Sequence, residues 1–165
     1  MKKKIMILTS VLLMTITANA QFEQDKIYVG ASLSNIDLSY NGLKKFNVGV
    51  NAEGGYFLSD DFLVKGLVGY NHSTAKYTAD DLTLGVGARY YIEQNGIYLG
   101  VNAKYIHANH SFDDFRPGIE IGYAYFLSRT VTVEPAVYYD QSLKNHSDYS
   151  TFGLKVGIGI YLFNN

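Results

Sequence analysis

The segment Leu82–Ile92 reads LTLGVGARYYI, and its apolar residues alternate one by one with other residues. Leucine, valine, alanine and isoleucine fall on one face, whereas Thr83, two glycines and Arg89 fall on the other. Strict two-residue alternation is the pattern of a β-strand whose faces meet different surroundings. The glycines leave room beside the long arginine side chain, which predicts a polar and crowded second face.

The same alternation recurs in seven more segments, and no window shows a helical stripe of comparable length. These segments begin near Ile27, Phe46, Phe62, Ile97, Arg116, Val131 and Gly153. In the segment after Phe62, Leu63 and Leu67 fall on the polar face and Gly66 falls on the apolar face. Pro135 stands inside another segment and removes a hydrogen-bond donor, so we expect a bulge or a strand break near it.

The connections between the eight predicted strands alternate in length. Short connections lie at 59–61, 94–96 and 128–129, and longer ones at 35–45, 71–81, 108–114 and 141–150. Short turns at one end and longer loops at the other, with an even number of strands, are typical of an outer-membrane barrel. We therefore predict an all-β fold, an eight-stranded antiparallel up-and-down transmembrane barrel.

The composition of the 165 residues excludes several classes of protein. The absence of cysteine rules out a disulfide scaffold and cysteine-ligated zinc or iron–sulfur sites. The net charge of −1 provides no basic face for nucleic acid. The length suits one domain and is too short for a wide porin.

The first twenty residues have the pattern of a secretory signal peptide. Lys2–Lys4 form a basic start, an apolar stretch follows, and Ala18–Ala20 give a small-x-small cleavage pattern. The apolar stretch is shorter than a spanning helix requires, which disfavours a membrane anchor. We predict cleavage after Ala20, with residues 1–20 as the signal peptide and residues 21–165 as the barrel domain. This domain carries 11 basic and 15 acidic residues, a net charge of −4.

The direction of the two strand faces separates a membrane barrel from a soluble one. The apolar face points inward in a soluble barrel and toward lipid in a membrane barrel. The interior of an eight-stranded barrel is just wide enough for side chains, which suits a face of glycines and charges. We predict that the apolar face contacts lipid and that its tyrosines form interfacial girdles: Tyr56, Tyr90, Tyr105, Tyr123, Tyr125 and Tyr139.

Eight charged residues on the polar face are predicted to form a structural network inside the barrel: Glu53, Lys65, Arg89, Lys104, Arg116, Glu120, Glu134 and Lys155. We expect Lys104 to pair with Glu120, since both lie at similar depth from the short turns, and Glu53 to pair with Lys65. Unpaired charges in a narrow interior are costly, so a connected network and a plugged interior are expected. The alternative role of these charges is ion conduction or gating.

The chain ends in alternating hydrophobic residues with Phe163 two residues before the terminus. Together with the signal peptide, the eight strands and the charged interior, this ending resembles small outer-membrane β-barrels of the OmpX and OmpA-barrel type, in the outer membrane protein beta-barrel domain family. The resemblance covers the whole predicted barrel domain and involves no catalytic motif.

The resemblance implies a place in the outer membrane of a Gram-negative bacterium, among its lipids and lipopolysaccharide. It also implies assembly by the barrel-insertion machinery and a structural, adhesive or stress-related role. We expect a monomer without catalytic residues or cofactors, which acts through four long loops on a partner that the sequence does not specify.

The four histidines lie at the long-loop end, and three of them stand in Asn-His-Ser tripeptides. His72, His110 and His146 are weak candidates for a surface metal site or a pH-sensitive cluster. Their spacing matches no specific ligand motif, and polar loop composition is the alternative.

Two other functions remain open from the sequence. A soluble periplasmic barrel that binds a lipophilic ligand would place the apolar face inside. A lipid A-modifying barrel enzyme would use a His–Ser pair near the outer rim. Adjacent residues such as His72 and Ser73 point to opposite faces of a strand, which disfavours the enzyme.

Overall fold

The structure is a computed structural model that describes residues 22–34, 47–73, 81–93, 95–108, 112–144 and 150–162. The expected signal peptide and Phe163 lie outside these residues. In the part of the chain that the structure describes, no helix is long and apolar enough to cross a membrane.

All regular structure in the described chain is β-strand. The strands are β1 (Ile27–Ser34), β2 (Asn47–Ser59), β3 (Phe62–Ser73), β4 (Asp81–Tyr91), β5 (Ile97–Ala108), β6 (Phe112–Tyr123), β7 (Tyr125–Phe126), β8 (Val131–Asp140) and β9 (Thr151–Leu162). Most are 10 to 13 residues long, enough to cross the apolar core of a bilayer at a tilt.

Each strand pairs antiparallel with its neighbours, and the sheet closes on itself. β1 pairs with both β2 and β9, and β6 pairs with both β5 and β8. The two-residue strand β7 continues β6 after Ala124 and keeps the same register against β8. The wall is therefore an eight-stranded closed barrel, as the alternation predicted.

The apolar face of the wall points outward and the polar face points inward. Val86 is 65% exposed and Val101 is 58% exposed, whereas Arg89 is 2% exposed. The six tyrosines predicted for the outer girdles all stand on this outer face. This arrangement contradicts the soluble alternative, because a lipophilic ligand would meet charges inside the barrel.

The third predicted strand follows the parity expected from its sequence. Leu63 and Leu67 point inward and are buried, and Gly66 points outward. Leu63 packs with the aromatic side chains near the short-turn end. Two leucines on the polar face are thus part of the interior packing.

One expectation about connections needs correction, and the strand break expected near Pro135 is present on the neighbouring strand. The predicted loop 108–114 is mostly strand, because β5 extends to Ala108 and β6 begins at Phe112. Pro135 does not interrupt its own strand: β8 runs through it, and the break falls on the facing strand at Ala124. A proline withholds a donor from its neighbour, so the neighbour can lose the ladder instead.

Candidate functional site: the interior of the barrel

A central charged layer fills the middle of the barrel. It consists of three carboxylates and three cations from six different strands: Glu53, Lys65, Arg89, Glu120, Glu134 and Lys155. The expected Glu53–Lys65 pair is present at 2.8 Å. Opposite charges are equal in number, so the layer is neutral when every group is ionised.

Arg89 is the centre of this layer. Its Nε donates to Glu120 at 2.7 Å, its Nη1 to Glu134 at 2.8 Å and its Nη2 to Glu53 at 3.1 Å. The guanidinium lies 4.3 Å from the ring centroid of Tyr98. A planar fork with five donors can reach three carboxylates at once, which a lysine ammonium cannot do.

The two lysines complete the coordination of the carboxylates. Lys65 donates to Glu53 at 2.8 Å and to Glu120 at 2.9 Å. Lys155 donates to Glu120 and lies 3.6 Å from Glu53. Glu120 therefore contacts all three cations of the layer. Each charge is paired and hydrogen-bonded, which is the condition for burying charges without a large penalty.

Glu134 connects the charged layer to the aromatic side chains below it. It accepts hydrogen bonds from the hydroxyls of Tyr28 and Tyr161, each at 2.9 Å, and from Thr132 at 2.8 Å. Tyr161 and Tyr91 also share a hydrogen bond of 3.0 Å. The two layers thus form one continuous hydrogen-bonded structure.

An aromatic plug closes the short-turn end of the barrel. It consists of Phe22, Tyr28, Phe57, Leu63, Tyr91, Tyr98 and Tyr161, all buried. Phe22 precedes β1 and stacks on Tyr91 with ring centroids 3.9 Å apart. The sequence reasoning missed this plug, although the inward tyrosines were visible on the polar face of their segments.

Backbone hydrogen bonds hold the segment before β1 beneath the barrel. The amide of Asp61 donates to the carbonyl of Phe22 at 2.7 Å, and the amide of Asp25 donates to Phe57 at 3.0 Å. The backbone carbonyl of Asp61 also accepts a hydrogen bond from the amide of Tyr91 at 2.8 Å. Burial and the nearby Asp60 carboxylate raise the pKa of Asp61, whose Oδ1 is buried without a partner.

The remaining predicted interior charges lie nearer the long-loop end. Lys104 pairs with Asp140 at 2.6 Å and Arg116 pairs with Asp114 at 2.6 Å. Ser142 also donates to Asp114 at 2.8 Å. Asp114, Asp140 and Ser142 were missed because Asp114 and Ser142 fall in predicted loops and Asp140 stands at the edge of one.

The predicted Lys104–Glu120 pair is wrong. In the register of β5 and β6, Glu120 lies opposite Gly100, and Lys104 lies opposite Arg116. Counting depth from the short turns assumed that the strand ends are level. Ile97, the first residue of β5, pairs with Tyr123, so β7 and the turn after it extend beyond the end of β5.

Inward glycines make space for the large inward side chains of neighbouring strands. Three inward glycines are paired directly, in the register of neighbouring strands, with a large inward residue: Gly100 with Glu120, Gly122 with Tyr98 and Gly153 with Tyr138. A Cβ at any of these glycines would overlap the opposite side chain. Glycine therefore accommodates tyrosine as well as charge in this interior.

The comparisons with known proteins agree with this architecture. Residues 6–165 match the family model described as outer membrane protein beta-barrel domain. The chain belongs to this family. Its wall is thus a transmembrane barrel of the Gram-negative outer membrane, with the apolar face toward lipid. No curated relative matches the chain at a significant level.

Solved structures of outer-membrane barrels share the fold. The N-terminal β-barrel domain of Pseudomonas aeruginosa OprF has a TM-score of 0.63 and 15% identity, over 84% of this chain and 98% of that one. Neisserial surface protein A has a TM-score of 0.56 and 14% identity, over 82% and 95%. Yersinia pestis Ail has a TM-score of 0.55 and 13% identity, over 84% and 100%. Identities this low establish the fold alone.

The outer face of this outer-membrane barrel becomes polar at the long-loop end of β5 and β6. Tyr105 and Phe115 form the last apolar pair, and His107 and Asp113 form the next. His107 Nδ1 lies 2.6 Å from Asp113 Oδ1, and the Tyr105 hydroxyl bonds to the same carboxylate. An exposed polar pair directly beyond aromatic rings is typical of the membrane interface.

The side chains of the three histidines of the predicted metal site, His72, His110 and His146, lie outside the described residues. Within the described part of the chain, no group of three or more histidine, aspartate or glutamate residues could hold a metal ion.

Proposed function

We propose that this protein is a non-enzymatic outer-membrane barrel that is closed along its axis and presents its loops at the cell surface. The observation that carries the proposal is the filled interior. The aromatic plug, the central charged layer and the pairs around Asp140 and Asp114 succeed one another along the barrel. Eight strands leave little room beyond such side chains.

The loops are the surfaces left for interaction. The connection between β5 and β6 is only residues 109–111, so three longer connections remain, at 35–46, 74–80 and 141–150. A rigid wall that carries variable loops is a common way to present binding segments. We propose that these loops bind a partner at the cell surface and have a structural or adhesive role.

The other proposed properties follow from the wall. Outer-membrane lipid and lipopolysaccharide surround the apolar face, and the barrel-insertion machinery assembles the chain after cleavage behind Ala20. One chain closes the barrel alone, which supports a monomer. No catalytic residue, cofactor or metal is part of the proposal.

Conductance across planar bilayers tests the closed interior. Purified barrel inserted into a bilayer in concentrated potassium chloride should give no stable current steps. A variant that lacks part of the plug, Phe22→Ala with Tyr91→Ala, is the matched control for a loosened interior. Regular single-channel steps from the unchanged protein would overturn the closed barrel.

Epitope labelling on intact cells tests the loop orientation. A short epitope inserted within 36–45 should be accessible to antibody, whereas the same epitope between Asp60 and Asp61 should be accessible only after the cells are broken. The reverse result would invert the barrel. The mass of lipid A on overexpression should stay unchanged, and a new mass would support the enzyme instead.

A further inference from the structure

The chain has two prolines, and both lie in the same seam of the barrel. Pro117 is in β6 and Pro135 is in β8, and β6 with its continuation β7 pairs with β8. A proline withholds one hydrogen bond from a ladder if its nitrogen faces the partner strand. The register shows that both nitrogens face this one seam.

The position of Pro135 follows from the pairs on either side of it. Gly122 pairs with Ala136 and Tyr125 pairs with Val133, which places Pro135 opposite Tyr123. The amide of Leu127 donates to the carbonyl of Val131 at 2.8 Å. Backbone groups that point across the seam recur every second residue, so those of position 135 also face Tyr123.

Pro135 therefore explains the break between β6 and β7. An N–H at position 135 would donate to the carbonyl of Tyr123, and proline has none. The regular ladder stops at Gly122 and starts again at Tyr125.

Pro117 limits the same ladder at its other end. The amide of Gln141 donates to the carbonyl of Pro117 at 2.8 Å, and that of Leu143 donates to Phe115 at 3.2 Å. The strands thus keep their register beyond the ladder, but Pro117 cannot return a bond to Gln141. Regular pairing begins only at Gly118 with Asp140.

The two prolines leave five regular pairs between β6 and β8 and two more between β7 and β8. The pairing of β4 with β5 runs without interruption over eleven residues, and that of β8 with β9 over ten. The seam of β1 and β9, where the two ends of the chain meet, has eight uninterrupted pairs. The interrupted seam is thus not the one that closes the chain.

The inner side of this seam carries small residues near Pro135. Gly122, Ala124 and Ala136 point inward there, and the ring of Tyr98 lies against Gly122, whereas larger inward side chains stand nearer Pro117, at Glu120, Tyr138 and Asp140. The Tyr98 hydroxyl is buried without a hydrogen-bond partner. Unpaired polar groups beside a weakened ladder are costly in a membrane, where no water replaces the missing bonds.

We propose that the seam of β6, β7 and β8 is a lateral opening of the barrel. The wall separates between Pro117 and Pro135, in the plane of the membrane, while the other seams stay paired. The opening joins the surrounding lipid to the interior at Tyr98 and Glu120, although the barrel remains closed along its axis. It takes place by local loss of five backbone pairs and needs no unfolding of the whole wall.

Hydrogen–deuterium exchange of the folded barrel in lipid nanodiscs tests the opening. The amides of residues 119, 121, 137 and 139 cross the seam and should exchange about tenfold faster than those of 86, 88, 101 and 103 in β4 and β5. Equal protection of the two sets would overturn the proposal. Faster exchange across β1 and β9 would also overturn it, because the chain ends would then be the opening.

Engineered disulfides supply a matched control, since the chain has no cysteine. Ile121→Cys with Val137→Cys links directly paired outward positions across the seam, and Val86→Cys with Ala103→Cys does the same across β4 and β5. Oxidation of the first pair should slow exchange at the seam amides, whereas oxidation of the second should leave it unchanged. The opposite pattern would contradict a local opening.

Pro135→Val gives a second test that needs no new bond between side chains. It restores the missing donor toward Tyr123 on an outward position. Exchange at residues 121 and 137 should slow several-fold, and unchanged exchange would contradict the role of the proline. This variant keeps the proposal testable if the cysteine variants fail to fold.

Discussion

The central charged layer and the aromatic plug fill one narrow barrel with opposite chemistry. In the charged layer, Arg89 donates hydrogen bonds of 2.7 to 3.1 Å to three carboxylates, and each carboxylate is paired with cations from other strands. In the plug, Phe22 is held by packing against aromatic rings such as that of Tyr91. The loss of a charge leaves its partners unsatisfied, whereas the loss of a ring leaves a cavity. The charged layer is therefore the less tolerant of the two.

Arg89→Met is expected to have the largest effect. It leaves three buried carboxylates without their shared partner, and the removal of one member of a buried ion pair costs about 3–5 kcal/mol. Urea unfolding followed by far-UV circular dichroism measures the loss, since the chain has no tryptophan. Arg129→Met is the control, because this arginine is exposed in the turn between β7 and β8. Equal losses in the two variants would contradict the special position of Arg89.

Phe22→Ala tests the plug. The side chain is fully buried, and a buried phenylalanine replaced by alanine costs about 3 kcal/mol. The charged layer should be unchanged in this variant. The variant should therefore still migrate as a folded barrel in unheated gels. Gln24→Ala, an exposed change in the same segment, should stay within about 0.5 kcal/mol of the unchanged protein. A neutral Phe22→Ala would show that the segment is not part of the folded barrel.

Gly122→Ala and Gly54→Ala compare the inside of the wall with the outside. A Cβ at Gly122 would overlap the ring of Tyr98 and lie 2.9 Å from the Cβ of Ala136. Such overpacking costs about 1–3 kcal/mol. A Cβ at Gly54 meets nothing within 4 Å, so this change should be neutral or stabilise by about 0.5 kcal/mol. Similar losses at both positions would contradict the inward and outward assignment.

Asp61→Asn should have the smallest effect, and the effect should depend on pH. The pKa of Asp61 is raised on folding, so its ionised form is disfavoured in the folded barrel. Its contribution to stability therefore falls as pH rises from the ordinary value of 3.8 toward the raised value. Asparagine tolerates the left-handed φ of 64° at this position and carries no charge.

The measurement is the free energy of unfolding as a function of pH. Asp61→Asn should match the unchanged protein at low pH and become the more stable of the two, by less than about 1 kcal/mol, near neutral pH. A variant that is less stable at neutral pH would indicate that the Asp61 carboxylate has a partner.

The alternation of residues sufficed to predict the strands and the direction of each face. Arg89 and Glu53 could be assigned to the interior because period two allows only two directions. The pairing of Glu53 with Lys65 was also predictable, since both stand on strands joined by the short turn at Asp60 and Asp61. These predictions depend only on local geometry.

The partners of the other charges were not predictable in the same way. Lys104 meets Asp140 instead of Glu120 because neighbouring strands are shifted along one another in a closed barrel. Phe22 was missed because a single phenylalanine before the first strand carries no periodic signal. The extension of β5 and β6 through the predicted loop was missed because polar residues such as His107 and Asp113 alternate poorly in hydropathy.

The sequence alone determined that this chain forms eight strands with an apolar and a charged face, since alternation is written in the order of the residues. Only the tertiary structure decided which partners the other interior charges meet, how the aromatic plug closes one end, and that both prolines face one seam. The physical reason is that these contacts join strands that are distant in the chain. Their register is set by closure of the whole barrel, and a local pattern contains no information about that register.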